Sequence, residues 1–307
     1  MLRISTNMLF EKGISSMLEQ QTKLSITQDQ ISSGKRILTP KDDPAGTAYL
    51  LDLKSSISQI DQYQDNADRA RARARLELEE TALASVGNIL HRVHELAIQG
   101  QTDTLTGDQR RDIAAEVRQL NEELLSLANT KDSNGEYIFA GYDADQPPFS
   151  NPVDGTFVYG GDMGSRQLQI AADRRIQDRD NGFDVFMNLE TSTAPPLPVK
   201  RNLFETVHQI AAGLEADAPN TALLDDVQVG LVHTTNFRAS AGTRLNAIEE
   251  QSTVNEDFLL TMKTAQSEVE DLDMAEALSR YQQQLLVLQA AQQSFVKLQG
   301  LSLFNYL

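Results

Sequence analysis

The sequence predicts a mainly α-helical protein with a β-rich insert, in which long helices from both chain ends run antiparallel as a coiled-coil or helical-bundle rod. Two observations carry this prediction. Apolar residues recur in a heptad pattern at both ends of the chain, and short alternating runs separated by glycine turns occupy the middle. Composition agrees, because 40% hydrophobic residues with only 6% aromatics and no Trp favour helices packed through Ala, Leu and Ile.

The two chain ends carry matching apolar stripes with alternating spacings of four and three residues. The N-terminal stripe is Phe10, Ile14, Met17, Gln21, Leu24, Gln28 and Ile31. The C-terminal stripe is Met274, Leu278, Tyr281, Leu285, Leu288, Gln292 and Phe295. Gln in a core position lowers stability but can specify register or partner. We therefore predict that the apolar members of both stripes form an assembly interface, with ordinary intramolecular packing as the alternative.

The stretch ISSGKRILTPKDDPAG, residues 31–46, is predicted to connect two helices. Gly34 follows the first stripe at a position where a helix commonly ends with φ > 0. Asp43 is a good N-cap, and Pro44 suits the first helical position because its missing N–H is not needed there. These three residues mark the edges of the connector.

The same stretch resembles a phosphate loop or a carboxylate site only superficially. A phosphate loop needs a glycine at position 29 and Ser or Thr at position 36, where this chain has Asp29 and Arg36. Asp42 and Asp43 lack the further oxygen ligands that calcium requires. Elsewhere, His91 and His94 lack the other residues of a zinc-protease helix. We therefore predict no catalytic, metal or cofactor site, and a protein that is not an enzyme.

Between the stripes the pattern changes twice. Residues 44–98 are predicted to form one long helix, Thr106 and Gln109 form a capping box that opens another, and a third covers about 220–267. Four runs are predicted as strands: EYIFAGY, TFVYGG, RQLQIAA and GFDVFM. The predicted domains are terminal coiled-coil helices (1–42 and 270–307), a helical bundle (43–133 and 199–269) and a β-rich outer insert (134–198).

Charge and hydropathy exclude several classes of partner. A net charge of −17 argues against nucleic acid, which needs a dense basic surface. No window reaches the ~18 apolar residues of a membrane span. The start, MLRISTNMLFEKG, lacks the apolar run of a cleaved signal peptide, so we expect any secretion to use another route. The absence of Cys excludes disulfides and thiolate metal sites.

An ordered set of short motifs resembles the bacterial flagellin superfamily. The motifs are Arg3-Ile4-Ser5-Thr6, Ser33-Gly34-Lys35-Arg36-Ile37 with Asp42-Asp43-Pro44-Ala45-Gly46, Asn134-Gly135-Glu136-Tyr137-Ile138-Phe139-Ala140-Gly141, Gly242-Thr243-Arg244-Leu245-Asn246, and Leu301-Ser302-Leu303-Phe304. The compact insert and the chain ending are more similar to the hook-associated members than to filament flagellins. A filament flagellin subunit is the alternative.

This resemblance implies a flagellin-like fold and a structural role in the bacterial flagellum. The terminal helices would line the inner tube layer, and the chain would join the hook side to the filament. The implied partners are hook-associated protein 1, flagellin, further copies of the chain in a ring, and an export chaperone at the C-terminal helix. The implied location is extracellular, reached by flagellar type III export.

Overall fold

The computed structural model describes residues 6–69, 72–191 and 199–304. Its α-helices are α1 (Thr6–Ser33), α2 (Pro44–Gln64), α3 (Ala72–Gly100), α4 (Gly107–Ala128), α5 (Leu203–Glu215), α6 (Ala222–Glu270) and α7 (Met274–Phe304). Its strands are β1 (Phe149–Val153), β2 (Thr156–Tyr159), β3 (Gln167–Gln169), β4 (Arg175–Gln177), β5 (Leu189–Thr191) and β6 (Val199–Arg201). The strands form antiparallel pairs β1–β2, β3–β4 and β5–β6. The predicted fold class, mainly helical with a β-rich insert, is confirmed.

Contacts divide the chain into two compact units, Met1–Gln59 with Phe258–Leu307 and Ile60–Asp257. In the first unit α1 packs antiparallel on α7. The rings of Phe10 and Phe295 lie 4.7 Å apart towards one end of this pair, and the backbones of Lys35 and Asp271 form a bridge beyond its other end. The two chain ends thus form a helix pair, as the matching stripes predict.

The second unit has its core where α3, α4 and α5 meet the β-rich segment. Phenylalanines from this segment pack on Phe204 of α5, with Phe149 and Phe186 centred 5.2 and 5.5 Å from its ring. Phe139 meets Phe186 edge-on at 5.1 Å. Leu83 and Leu90 of α3 belong to the same fully buried cluster. The strands form only two-stranded pairs in the described ranges, so this shared core supplies stability that isolated hairpins lack.

Several predicted helices are confirmed and two need correction. The capping box of Thr106 and Gln109 opens α4 as predicted. The single helix predicted over residues 44–98 is wrong, because α2 runs into a π-helical turn, Asp65–Arg69, before α3. In this turn Asn66 Nδ2 donates to the Gln169 carbonyl at 2.8 Å, a contact that helical periodicity does not reveal.

Helix α5 was missed as a separate element, although its start is encoded locally. Asn202 Oδ1 accepts from the backbone N–H of Glu205, so Asn202 is an N-cap three residues before an acidic residue. The apolar residues that follow it also keep helical spacing. The predicted third helix is confirmed as α6, which begins at Ala222 and ends at Glu270.

Two of the four predicted strand runs are confirmed, as β2 in TFVYGG and β3 in RQLQIAA. EYIFAGY is not a strand, because its backbone donors reach separate segments: Tyr137 N–H bonds Ala144 and Ile138 N–H bonds Thr130. GFDVFM contains the π-helical turn Phe183–Met187, which buries the consecutive residues Val185 and Phe186. Consecutive burial does not fit the alternating faces of a half-exposed strand.

Candidate assembly surface

The helices α1 and α7 meet along a narrow line of partly or fully buried residues, which we term the terminal seam. On α1 the seam comprises Gly13, Met17, Gln20, Leu24, Thr27 and Ile31. On α7 it comprises Ala277, Tyr281, Gln284, Leu288, Ala291 and Phe295. Both sets keep the alternating spacings of four and three residues. The seam is therefore a heptad contact, as in a coiled coil.

Six of the eleven predicted interface residues lie in this seam. They are Met17, Leu24, Ile31, Tyr281, Leu288 and Phe295. The rest, Phe10, Ile14, Met274, Leu278 and Leu285, are exposed beside it. The glutamines assigned to core positions, Gln21, Gln28 and Gln292, are also exposed and lie outside the seam. The glutamines in the seam are instead Gln20 and Gln284.

A small residue explains why the seam is rotated from the predicted stripe. A Cβ built on Gly13 would lie 3.2 Å from Cδ2 of Phe295, so the bare backbone of Gly13 accommodates this ring. Phe10, one turn before Gly13, packs against the same ring with the two ring planes tilted by 42°. Large and small side chains interdigitate at the contact, whereas the prediction assigned only the large ones to it.

The predicted interface residues outside the seam lie on one side of it, together with Leu18 and Val296, and we term this side the exposed flank. Ile26, Leu286 and Val287 are exposed on other faces of the two helices. At 100° per residue, the flank residues of each helix lie next to the seam residues of that helix. The flank comprises Phe10, Ile14 and Leu18 of α1 with Met274, Leu278, Leu285 and Val296 of α7, between 37% and 65% exposed. An apolar groove of about 320 Å³ lies along both helices, lined in part by Ile14, Leu18 and Val296. The flanks of the two helices thus share one side of the pair.

Two connectors lie side by side next to this helix pair. Arg36 N–H donates to the Glu270 carbonyl at 2.7 Å, and Leu272 N–H donates to the Gly34 carbonyl at 3.0 Å. The guanidinium of Arg36 also donates to the Val269 carbonyl at 3.0 and 3.1 Å. Gly34 has φ +70°, where glycine carries no Cβ penalty. The α1–α2 and α6–α7 connectors therefore hold each other through backbone pairing.

Asp42 and Asp43, in the first connector, both accept hydrogen bonds from backbone N–H groups. Asp43 Oδ1 accepts from Gly46 N–H at 2.8 Å at the start of α2, whose first residue is Pro44. Asp42 Oδ2 accepts from the N–H and hydroxyl of Thr39 at 2.8 and 2.9 Å. These hydrogen bonds lower the pKa of Asp42. Both carboxylates stabilise turns and helix starts.

One charged residue at this site was missed by sequence reasoning. Glu270 is buried, and its Oε1 lies 2.7 Å from Lys35 Nζ and 3.1 Å from Lys54 Nζ. Gln266 Nε2 donates to the other oxygen at 2.7 Å. The hydrogen bond from Lys35, followed by that from Gln266, lowers the pKa of Glu270 to about 2. No local pattern could reveal Glu270, because Lys35 and Lys54 lie at the opposite end of the chain.

The rest of the described chain offers no competing site of obvious chemistry. In residues 6–69, 72–191 and 199–304, no three His, Cys, Asp or Glu side chains are grouped closely enough to hold a metal ion. Among the helices of these ranges, none has the length and apolar character needed to cross a bilayer. The apolar flank and the paired connectors are therefore the features on which a function can be argued.

Comparisons with known proteins agree with this architecture. Residues 4–144 match the bacterial flagellin N-terminal helical region, and residues 224–307 match the bacterial flagellin C-terminal helical region. Flagellar hook-associated protein 3 of Escherichia coli is 32% identical over 99% of both chains. The chain belongs to the flagellar hook-associated protein 3 family. The protein of that name in Salmonella typhimurium is 30% identical over the same shares.

A solved structure shows that the fold of this family is shared. The crystal structure of hook-associated protein 3 from Legionella pneumophila superposes with a TM-score of 0.65 at 22% identity, covering 71% of this chain and 98% of that chain. Membership in the hook-associated protein 3 family identifies the protein as a structural component of the bacterial flagellum and not as an enzyme.

Proposed function

We propose that this protein joins the hook side of the flagellum to the flagellin filament, and that the exposed flank of α1 and α7 is its assembly surface. The observation that supports this most directly is the flank itself. Its seven large apolar residues are exposed along one side of the terminal pair. Contiguous exposed apolar surface of this kind marks an interaction site.

Burial of the flank would supply the energy for assembly. A large apolar side chain gains about 1.5–3 kcal/mol when it is fully buried. The terminal seam alone buries only part of its apolar surface, since its large residues, among them Met17 and Leu288, are only partly buried. A neighbouring copy that covers the flank would complete the core of the coil, and repeating this contact around an axis would close a ring.

The proposed partners are hook-associated protein 1 on the hook side, flagellin on the filament side and further copies in a ring. The protein would reach the outside of the cell by flagellar type III export, with a chaperone at α7. The absence of Cys suits passage as an unfolded chain. In the assembly, residues 1–42 and 270–307 would form the inner layer, 43–133 and 199–269 the bundle, and 134–198 the outer insert.

The test is a charge placed on the flank in a strain that lacks the gene. Leu285→Asp places a carboxylate among apolar residues that assembly buries, which is costly without a partner. The matched control is Gln283→Asp, because Gln283 is exposed on the opposite side of α7. We expect Leu285→Asp to abolish motility and release flagellin into the medium, while Gln283→Asp swims normally.

Export is scored separately by measuring the variant protein in the medium. A Leu285→Asp protein that is secreted and still supports full-length filaments would show that the flank is not an assembly surface. If purified protein instead extended filaments without limit from hook fragments, a filament flagellin role would replace the junction role.

A further inference from the structure

The chain contains two Asn-Gly steps, Asn134-Gly135 and Asn181-Gly182, and the fold treats them differently. Asn-Gly is the sequence in which the side-chain amide is most open to attack by the following backbone nitrogen, because glycine has no Cβ to hinder the approach. Both steps lie in the second unit. Their local surroundings decide which of them can react.

Asn134 lies in an exposed turn. Its backbone N–H donates to Asp132 Oδ1 at 2.8 Å, but within the described residues its side-chain amide makes no hydrogen bond. Gly135 has φ +83°, and a Cβ built on it would meet nothing within 4 Å. Gly135 N–H donates to the Asp132 carbonyl at 3.0 Å, a single solvent-exposed hydrogen bond. Opening this turn therefore disturbs few contacts.

Asn181 is held by its surroundings. It is 8% exposed, its Nδ2 donates to Asp184 Oδ2 at 2.7 Å, and its Oδ1 accepts from Asp184 N–H at 2.9 Å. Gly182 N–H donates to the Phe139 carbonyl at 2.8 Å, and a Cβ on Gly182 would lie 2.7 Å from that oxygen. Attack at this step would require opening of the packed core.

We propose that Asn134 is a site of spontaneous deamidation, and that Asn181 is protected by the fold. The Gly135 nitrogen loses its proton to solvent base and attacks Cγ of Asn134, forming a C–N bond. The Cγ–Nδ2 bond breaks, and ammonia leaves with a proton taken from water. A second water molecule then hydrolyses one of the two C–N bonds of the resulting succinimide: cleavage at Cγ gives aspartate, and cleavage at the main-chain carbonyl carbon gives isoaspartate. No oxidation or reduction is involved.

The product would disturb a buried ion cluster. Asp132 Oδ1 accepts from the N–H groups of Asn134 and Glu136 at 2.8 and 3.0 Å, and its Oδ2 lies 3.0 Å from Arg75 Nε. Arg75 is buried and also pairs with Asp178 at 3.1 Å. Isoaspartate lengthens the main chain between the two N–H donors and adds a negative charge beside Asp132. Both changes weaken the positioning of this carboxylate on Arg75.

The experiment follows the purified full chain during incubation in mildly alkaline buffer. Peptide mass mapping detects amide-to-acid conversion at each site, and labelling by an isoaspartyl methyltransferase identifies isoaspartate. We expect conversion at Asn134 to exceed that at Asn181 by at least about tenfold, which corresponds to a difference of about 1.4 kcal/mol in opening free energy. Asn134→Ser should remove the labelling of the peptide that contains position 134, and Asn181→Ser should leave the labelling of that peptide unchanged.

The denatured chain is the internal control. In concentrated urea both sites should convert at similar rates, because the protection of Asn181 comes from the fold. Equal rates at the two sites in the folded chain would overturn the proposal. So would an unchanged Asn134 in the folded chain while the denatured chain reacts.

A second measurement tests the effect on the ion cluster. The aged acidic fraction is separated by anion exchange, and its thermal unfolding is compared with that of fresh protein and of Asn134→Asp. Asn134→Asp carries the same added charge as isoaspartate but keeps a main chain of normal length. The aged acidic fraction contains both isoaspartate and aspartate, and we expect it to have the lowest unfolding midpoint, with an intermediate one for Asn134→Asp. A midpoint in the aged fraction no lower than that of fresh protein would contradict the predicted loss of positioning on Arg75.

Discussion

Lys35 Nζ lies 2.7 Å from Oε1 of Glu270, which joins the first connector of the chain to the last turn of α6. Lys54 approaches the same oxygen from α2 at 3.1 Å. Two half-exposed lysines thus share one buried carboxylate. Because each lysine keeps contact with water, the loss of one leaves Glu270 paired with the other. The carboxylate is therefore the residue on which this contact depends.

The first prediction concerns acid stability. The pKa of Glu270 is lowered from 4.5 to about 2, so its contribution is present above pH 4.5 and is lost as the pH falls towards 2. The two lysines are partly exposed, so water screens their attraction to Glu270. We therefore expect the free energy of unfolding of the wild type to fall by about 1–2 kcal/mol more than that of Glu270→Gln across this range. Urea unfolding at several pH values measures this difference. Parallel pH profiles of the two proteins would contradict the assignment.

The second prediction uses two glycines that both have open space where a Cβ would lie. Gly34 has φ +70°, whereas Gly87 lies within α3 and has no positive φ. Gly34→Ala should destabilise by about 1–2 kcal/mol, because a Cβ strains the left-handed conformation. Gly87→Ala should instead stabilise by about 0.5–1 kcal/mol, since glycine weakens a helix interior. Thermal unfolding measures whether each substitution raises or lowers stability. If both change stability in the same direction, the conformational argument for Gly34 is removed.

The third prediction concerns the order of the chain ends in the free monomer. The terminal seam contains small residues, and Gln284 Oε1 has no hydrogen-bond partner within the described ranges. By contrast, Leu83 and Leu90 of α3 are fully buried. We expect α1 and α7 to exchange their amide hydrogens much faster than α3, because the seam offsets little of the ~1–2 kcal/mol of backbone entropy per residue.

Hydrogen exchange measured by mass spectrometry on monomer and on assembled protein tests this expectation. Protection of α1 and α7 should appear on assembly. Strong protection in the monomer would mean that the seam alone holds the helices.

The fourth prediction concerns a buried acid in the second unit. Glu79 is 1% exposed, and its Oε2 accepts from Asp180 N–H at 3.3 Å, while Arg244 binds the Asp180 carboxylate. Burial, with the neighbouring charge of Asp180, raises the pKa of Glu79 well above its usual value. Its contribution to stability is therefore present below pH 4.5 and is lost as the pH rises through the folded-state pKa.

Glu79→Gln should remove this loss, because the amide stays neutral at every pH. We expect the variant to be more stable than the wild type by about 1–3 kcal/mol above the folded-state pKa. The advantage should shrink in mild acid. Urea unfolding across the neutral range measures it, and a constant difference at all pH values would show that Glu79 does not titrate there.

Local interactions made part of this structure predictable from sequence. The heptad spacing at both ends, the capping box of Thr106 and Gln109, and the glycine at position 34 act within about one helical turn. Such signals place helix starts and ends well. The break after α2 was missed. In this turn Asn66 bonds the Gln169 carbonyl, and sequence spacing carries no information about that contact.

The sequence by itself determined the helical class, the β-rich insert and the pairing of two amphipathic chain ends, since periodicity and turn residues are properties of neighbouring positions. Only the tertiary structure decided which side of each terminal helix faces its partner. Phe295 fits over Gly13, and this packing leaves Leu285 and its neighbours on an exposed flank. The physical reason is that interdigitation depends on the shapes of residues from both ends of the chain, which a pattern of apolar positions along one helix does not contain.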